Sequence, residues 1–346
     1  MNAKKEPILV TGATGAIGRV LIQRLLGEGK SVQAISRRPV PSDLLPAVPM
    51  VVGDVTDREA VRRATHGAST VFHLAAKLHI PNPTEEMRAE YERVNVEGTR
   101  VLVEEAQAVG VRRLVFFSTV SVYGGWGMGD GDRGTERRGE WANEDTVPHP
   151  DMIYAETKLR AEEIVLGAEN RDGEPLGVVL RMAAVYGPRM KGNYATLARA
   201  LAKGRFLMVG RGDNVRTLVY DRDAVRAAVL AAQHPLAAGR VYNVSDGTVH
   251  SLSEIVAAIC EALGRRPPGL AVPLPAARAV AVLADSTMVL AGRPRRFVAA
   301  VDKVVESVAV SSDRIQRELG FRPEYDLRHG WQQTVTAWKA NKADHG

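Results

Sequence analysis

A glycine pattern set directly behind an apolar, β-branched run constrains this chain more than any other feature. Ile8-Leu9-Val10-Thr11 reads as a short strand, and Gly12-Ala13-Thr14-Gly15-Ala16-Ile17-Gly18 follows at once, opening an amphipathic stretch that runs to Glu28. Gly12 permits a tight turn, Gly15 lets backbone approach a pyrophosphate, and Gly18 lets the helix pack closely on the strand. The helix start adds free N–H groups and positive potential. A glycine triplet alone is weak, because any turn can be glycine-rich. The strand–turn–helix setting makes this one a dinucleotide site, with Gly12, Thr14, Gly15, Ala16, Ile17 and Gly18 against the phosphates.

The rest of the first half repeats the alternation. Val32–Ser36, Val51–Val52, Thr70–Leu74, Leu114–Ser118 and Val178–Arg181 read as further strands, separated by helical patterns near Gly15–Glu28, Arg58–Thr65, Tyr91–Val109 and Ile153–Ala168. Strands joined by helical crossovers imply a doubly wound parallel sheet of Rossmann type, which takes ligands beyond the carboxyl ends of its strands. With 346 residues the chain exceeds what one core organises. We therefore expect residues 1–181 to form the dinucleotide domain and 182–346 a smaller mixed α/β substrate lobe, discontinuous because strand-like 240–245 returns to the sheet. Leu252–Leu263 and Asp313–Leu319 read as helices of that lobe. Gly124–Pro150, rich in glycine, reads as a long loop of the kind that forms lids or binding segments.

Composition narrows the setting. A lone cysteine, Cys260, excludes an internal disulfide, and residues 1–7 lack the pattern of a signal peptide, so a cytoplasmic location is expected. The apolar stretch Leu270–Gly292 carries Pro273, Pro275, Arg278 and Asp285, too costly for a membrane span, and reads as amphipathic helix and linker. The net charge of +6 comes from scattered arginine pairs, so neither nucleic acid nor membrane is expected as a partner. We expect no metal.

The candidate chemistry sits at the strand ends. Ile35-Ser36-Arg37-Arg38 offers no carboxylate to the adenosine ribose, whereas Ser36 and Arg37 can accept a 2′-phosphate, which tilts an open choice between NAD and NADP toward NADP. Asp54 and Val55, after the third strand, face the adenine. Tyr154 and Lys158 stand four apart at the start of a helix and so share a face. A tyrosine working as a base near neutrality needs roughly 4 kcal/mol of phenolate stabilisation, which the ammonium and a positive nicotinamide ring can supply. The bland alternative is a surface helix pair. Against it stands Phe116-Phe117-Ser118-Thr119-Val120-Ser121-Val122-Tyr123, which brings hydroxyls to the same crevice. Thr119 is the candidate third member, Ser118 and Ser121 are substitutes, and Tyr123 lines the substrate pocket.

With these motifs the chain resembles the extended short-chain dehydrogenase/reductase superfamily, in particular its nucleotide-sugar epimerase/dehydratase branch. The likeness spans nearly the whole chain and includes Gly53-Asp54-Val55-Thr56-Asp57, His73-Leu74-Ala75-Ala76, Val94-Asn95-Val96-Glu97-Gly98-Thr99, Val185-Tyr186-Gly187-Pro188 and Tyr242-Asn243-Val244. It implies that Leu74, Ala75, Ala76 and Lys77 pass beneath the cofactor, that Asn95 supports the helix behind the site, and that Thr119, Tyr154 and Lys158 are catalytic. It further implies a homodimer packed through the helices at Tyr91–Val109 and Ile153–Ala168. Arg216 resembles the family arginine on a nucleotide diphosphate, and Asn193 sits where phosphate or sugar is contacted. One departure concerns Arg181-Met182-Ala183-Ala184-Val185, which lacks the asparagine many sugar-nucleotide epimerases carry before Tyr-Gly-Pro. The resemblance leads to a 4-epimerase of a nucleotide-linked hexose working through a transient keto-sugar. The rivals are a one-way NADPH-dependent reductase of a keto-sugar or other carbonyl, and a non-catalytic dinucleotide sensor, against which the intact Thr119, Tyr154 and Lys158 argue.

Overall fold

Alternating strands and helices close into one large sheet in the computed structural model, which describes residues 6–39, 48–78, 85–124, 141–290 and 297–343. The order begins β1 (Ile8–Thr11), α1 (Ala16–Gly27), β2 (Val32–Ser36), β3 (Met50–Val52), α2 (Arg58–Thr65) and β4 (Thr70–His73). A short α3 (Arg88–Tyr91) continues through a π-helical segment, Glu92–Glu97, into α4 (Gly98–Val109), followed by β5 (Arg113–Thr119), α5 (Ile153–Leu166) and β6 (Gly177–Met182). Then come β7 (Ala184–Tyr186), α6 (Asn193–Ala202), β8 (Met208–Val209), β9 (Val215–Tyr220), α7 (Asp221–Gln233) and β10 (Val241–Val244). The chain ends with β11 (Val249–Ser251), α8 (Leu252–Leu263), β12 (Ala271–Val272), α9 (Leu274–Leu290), α10 (Phe297–Val305), α11 (Asp313–Leu319) and α12 (Leu327–Ala343). The long loop expected over Gly124–Pro150 falls mostly on 125–140, outside the described residues.

The sheet has seven strands in the order β10-β6-β5-β4-β1-β2-β3, and every pairing is parallel. This is the Rossmann arrangement, with the order reversing at β1 and β4, where a ligand crevice opens. Both faces are covered, so the strands read as apolar runs rather than alternating ones. Neighbours on one strand go to opposite cores: Val10 joins Leu21, Ile22, Leu25, Ala224 and Ala228 of α1 and α7, whereas Leu9 joins Val61, Leu102 and Ala161 of α2, α4 and α5. A third core gathers Tyr186, Leu218, Ile255, Ile259 and Trp331 around a three-stranded sheet, β11-β9-β7.

Local signals set the helix ends. Asp57 accepts from the amides of Glu59 and Ala60 at the start of α2, and Ser251 with Glu254 forms a reciprocal capping box on α8. Gly110, at φ 82°, closes α4 in the left-handed conformation. The helix expected over Tyr91–Val109 is present, but it begins earlier and carries the π-helical turn, which apolar spacing does not encode. The stretch after Arg181, assigned from sequence to the substrate lobe, holds α6, β9 and α7, and α7 lies over the large sheet against α1. Its Ala- and Val-rich face suits that close packing.

Candidate active site

The glycine turn is built for backbone, not side chains. Gly12 has φ +69°, and a Cβ there would meet the Ala75 nitrogen and the Leu74 carbonyl carbon at 2.8 Å. A Cβ on Gly18 would stand 2.3 Å from the Gly12 oxygen. Gly15 caps α1 without any side-chain acceptor, and the first turn of the helix carries no carboxylate. Leading N–H groups therefore face the crevice with a positive dipole end and no built-in anion, the setting a pyrophosphate fits. Thr14, Ala16, Ile17 and Gly18 form the rest of this turn.

Two hydrogen-bond fixtures hold the loop that follows β4. The Thr11 hydroxyl accepts from the amides of Leu74 (3.1 Å) and Ala75 (3.0 Å). Asn95, in the π-helical turn, accepts from the Lys77 amide at 2.7 Å and donates to the Lys77 carbonyl at 3.2 Å. Widened helical turns of this kind recur at functional sites. Leu74 and Ala75 are thereby held against the glycine turn, and Lys77 against Asn95. The Lys77 ammonium itself pairs with Glu90 at 2.7 Å and holds that carboxyl below the usual range.

At the far end of the crevice, Ser36 closes β2 and Arg37 is exposed beyond it. Asp54 accepts from the Thr56 amide and hydroxyl at 3.0 and 2.9 Å, fixing the turn after β3. Val55 packs inward on Gly98, where an added Cβ would meet its methyl at 2.9 Å, so its side chain supports the floor rather than facing the crevice.

Tyr154 and Lys158 lie in the first two turns of α5, which packs beside β5 and β6. Lys158 is 2% exposed, its Nζ lying 3.8 Å from the centre of the Phe116 ring. Burial pushes its ammonium down to about 7, with Glu162 acting in the opposite sense. Tyr154 keeps part of its surface, yet protein packed around the phenol, and then Tyr91, push it up to about 12. Burial thus works against the charged form of both groups, and phenolate chemistry needs added positive charge. Thr119 ends β5, partly exposed, its hydroxyl donating to the Ser121 oxygen at 3.1 Å and accepting from the Ser121 amide at 3.1 Å.

Two of the expected pocket residues point the other way. Ser118 is buried and donates to Glu162, and Tyr123 is buried and donates to Asn243 Oδ1 at 2.9 Å while accepting from Arg181 Nη1 at 2.9 Å. Arg181 and Glu162 form a buried ion pair at 2.7 Å. The hydroxyls of Ser118 and Tyr123 are consumed in satisfying this pair, which is why they do not line the crevice. Glu162 is the residue that sequence reading missed; its position two turns beyond Tyr154, on a buried helix, was the available signal. Asn193 starts α6 and is exposed. Arg216 on β9 donates through Nη2 to the carbonyls of Lys303 (2.6 Å) and Val304 (3.4 Å), so part of its guanidinium caps α10. Among the described residues no cluster of metal-ligating side chains occurs, and no helix is long and apolar enough to cross a membrane.

Known proteins share this architecture. The model of the NAD dependent epimerase/dehydratase family matches residues 8–245. The 3 beta-hydroxysteroid dehydrogenase/Delta 5→4-isomerase of Mycobacterium tuberculosis is 30% identical over 346 residues, covering 95% of this chain and 88% of that protein. The UDP-glucose 4-epimerase of Vibrio cholerae is 30% identical over 336 residues, covering 96% and 95%. Among solved structures, MoeE5 in complex with UDP-glucose and NAD superposes with a TM-score of 0.74 at 29% identity, covering 97% of this chain and 99% of that one.

Proposed function

Because this chain belongs to the NAD-dependent epimerase/dehydratase family, and so to the extended short-chain dehydrogenase/reductase enzymes, we propose that it is a 4-epimerase of a nucleotide-linked hexose. The observation that carries the reading is that Tyr154 and Lys158 stand one turn apart at the start of α5, which packs on β5, the strand that ends in Thr119, with Lys158 over Phe116 of that strand. An epimerase relative that matches end to end and a neighbour holding UDP-glucose with NAD support the substrate class.

A nicotinamide dinucleotide bound along the glycine turn would supply the hydride acceptor and, when oxidised, a positive charge. The remaining work falls to side chains. Tyr154 takes the proton from the substrate's secondary hydroxyl as the carbinol hydrogen leaves as hydride, giving a ketone. Lys158 favours the phenolate by its charge, and the Thr119 hydroxyl, turning its hydrogen away from Ser121 Oγ, donates to the reacting oxygen. Tyr154 hands the proton back when the ketone is reduced on its other face, which would restore the alcohol inverted, the bound dinucleotide supplying both the acceptor and the donor of the hydride. Tyr154→Phe is expected to lower turnover about 10²–10⁴-fold, the usual worth of a positioned acid–base group, while cofactor binding measured by calorimetry stays in place. Undiminished turnover in this variant sinks the assignment.

A second reading, one-way oxidation or reduction of a less polar alcohol or ketone, is favoured by the stretch Arg181–Val185, which lacks the asparagine that the resemblance leads one to expect before Tyr-Gly-Pro, and the steroid dehydrogenase relative supports it. The two part on cofactor economy: interconversion of UDP-hexoses by protein carrying its own NAD supports epimerisation, and strict consumption of added NADPH overturns it. The carboxylate-free Ser36-Arg37 end of β2 favours the 2′-phosphate of NADP; Arg37→Ala is then expected to weaken NADP⁺ more than NAD⁺. The division into a dinucleotide domain over 1–181, to which strand 240–245 returns, and a discontinuous substrate lobe within 182–346, and a homodimer through the helices over Tyr91–Val109 and Ile153–Ala168, complete the proposal, the dimer being read by sedimentation.

A further inference from the structure

We propose that His73 is a positioning residue: a neutral imidazole, protonated on Nε2, at the centre of a one-directional hydrogen-bond relay that ties the glycine turn to the backbone of Tyr154. The direction follows from counting lone pairs. The two acceptor sites of the Thr11 hydroxyl are filled by the amides of Leu74 and Ala75, so its hydrogen goes to His73 Nδ1 at 2.7 Å. Nδ1 is then an acceptor, and the ring proton sits on Nε2, which donates to the Thr99 hydroxyl at 3.0 Å. Thr99 donates to the Asn95 backbone carbonyl at 2.6 Å, a bond within the helix that fixes the residue whose side chain carries the next link. Asn95 Nδ2 donates to the Thr157 hydroxyl at 3.1 Å, and Thr157 donates to the Tyr154 carbonyl at 3.0 Å.

No other form of His73 satisfies these partners. A proton on Nδ1 would face a hydroxyl whose acceptor sites are taken. Thr11, His73, Thr99 and Thr157 are fully buried and Asn95 is 1% exposed, so no solvent replaces a lost bond. The His73 ring also lies 5.5 Å from the Phe116 ring that supports Lys158, and Lys158 is the charged group acting on it. Burial and then that ammonium push the imidazole down to about 3, in keeping with a ring that stays neutral. The relay sets the start of α5 relative to the glycine turn and so fixes where the Tyr154 phenol stands, without His73 touching a substrate.

The proposal rests on Tyr154 as the acid–base group, and the test separates the two. In protein labelled with ¹⁵N-histidine, the His73 signal, identified by its loss in His73→Asn, is expected to show the Nε2–H tautomer and no titration from about pH 5 to about pH 9. Titration within that range, or an Nδ1–H ring, overturns the relay whatever Tyr154→Phe does to turnover. At the two ends, Thr11→Val and Thr157→Val are each expected to lower kcat about tenfold at saturating cofactor, with substrate KM within about threefold. The serine variants should restore it, and the double variant should fall within about twofold of the worse single one. Losses that multiply, or no rescue by serine, mean separate local bonds and no relay.

Discussion

At the scale of single residues, Lys158 states the cost of the site. Its ammonium is buried, and its pKa falls from 10.5 to about 7. Below about 7 the group is charged in both folded and unfolded chains and the burial penalty is felt in full. Between about 7 and 10.5 the unfolded chain binds the extra proton, so this residue's contribution to stability improves as pH rises. Lys158→Met is therefore expected to abolish turnover yet raise the melting temperature, on the order of 5 °C near pH 6 and less near pH 9. A melting gain that grows with pH contradicts this. That Tyr154 and Lys158 share one helix was legible because the spacing is local, four residues apart. Ser118, Tyr123 and His73 were not, since their partners lie 44, 120 and 26 residues away and one-dimensional spacing does not say which face of a strand end meets them.

Elements show a sharper contrast. The strands of the central sheet were readable from β-branched runs, because a strand covered on both faces is apolar throughout. The π-helical turn over Glu92–Glu97 was not readable, because it answers to the Lys77 backbone rather than to apolar period. Helix α5 is held to β6 by Arg181 and Glu162, side chains 6% and 1% exposed. Arg181→Leu strands the carboxylate and should destabilise the fold by about 3–5 kcal/mol in denaturant unfolding. The turn into α1 allows as little freedom: in Gly18→Ala the new methyl meets the Gly12 oxygen, backbone against backbone. Cofactor dissociation constants about tenfold or more higher are expected, the equivalent of about 1.4 kcal/mol or more of distortion.

Across the whole molecule, the parallel order of the sheet brings the glycine turn, the β5 end and α5 to one rim from points nearly 150 residues apart in sequence. In the C-terminal part of the chain, α9 leaves Val280 and Leu283 66% and 68% exposed. Replacing both by glutamine should change folding stability by no more than about 0.5 kcal/mol and reduce binding of an apolar dye, whereas a large loss of stability would mean that they are covered. The seventh strand has a wider consequence. β6 has six buried residues and receives β10 along its outer side. A protein ended by a stop codon near residue 200 would keep every residue of the glycine turn and of the tyrosine–lysine pair, and yet bare a full row of amides and carbonyls on an apolar border that invites other chains to pair with it. The first half of the chain is not a detachable module: its gene has to be read through β10, well past the tyrosine–lysine pair, before that border is covered.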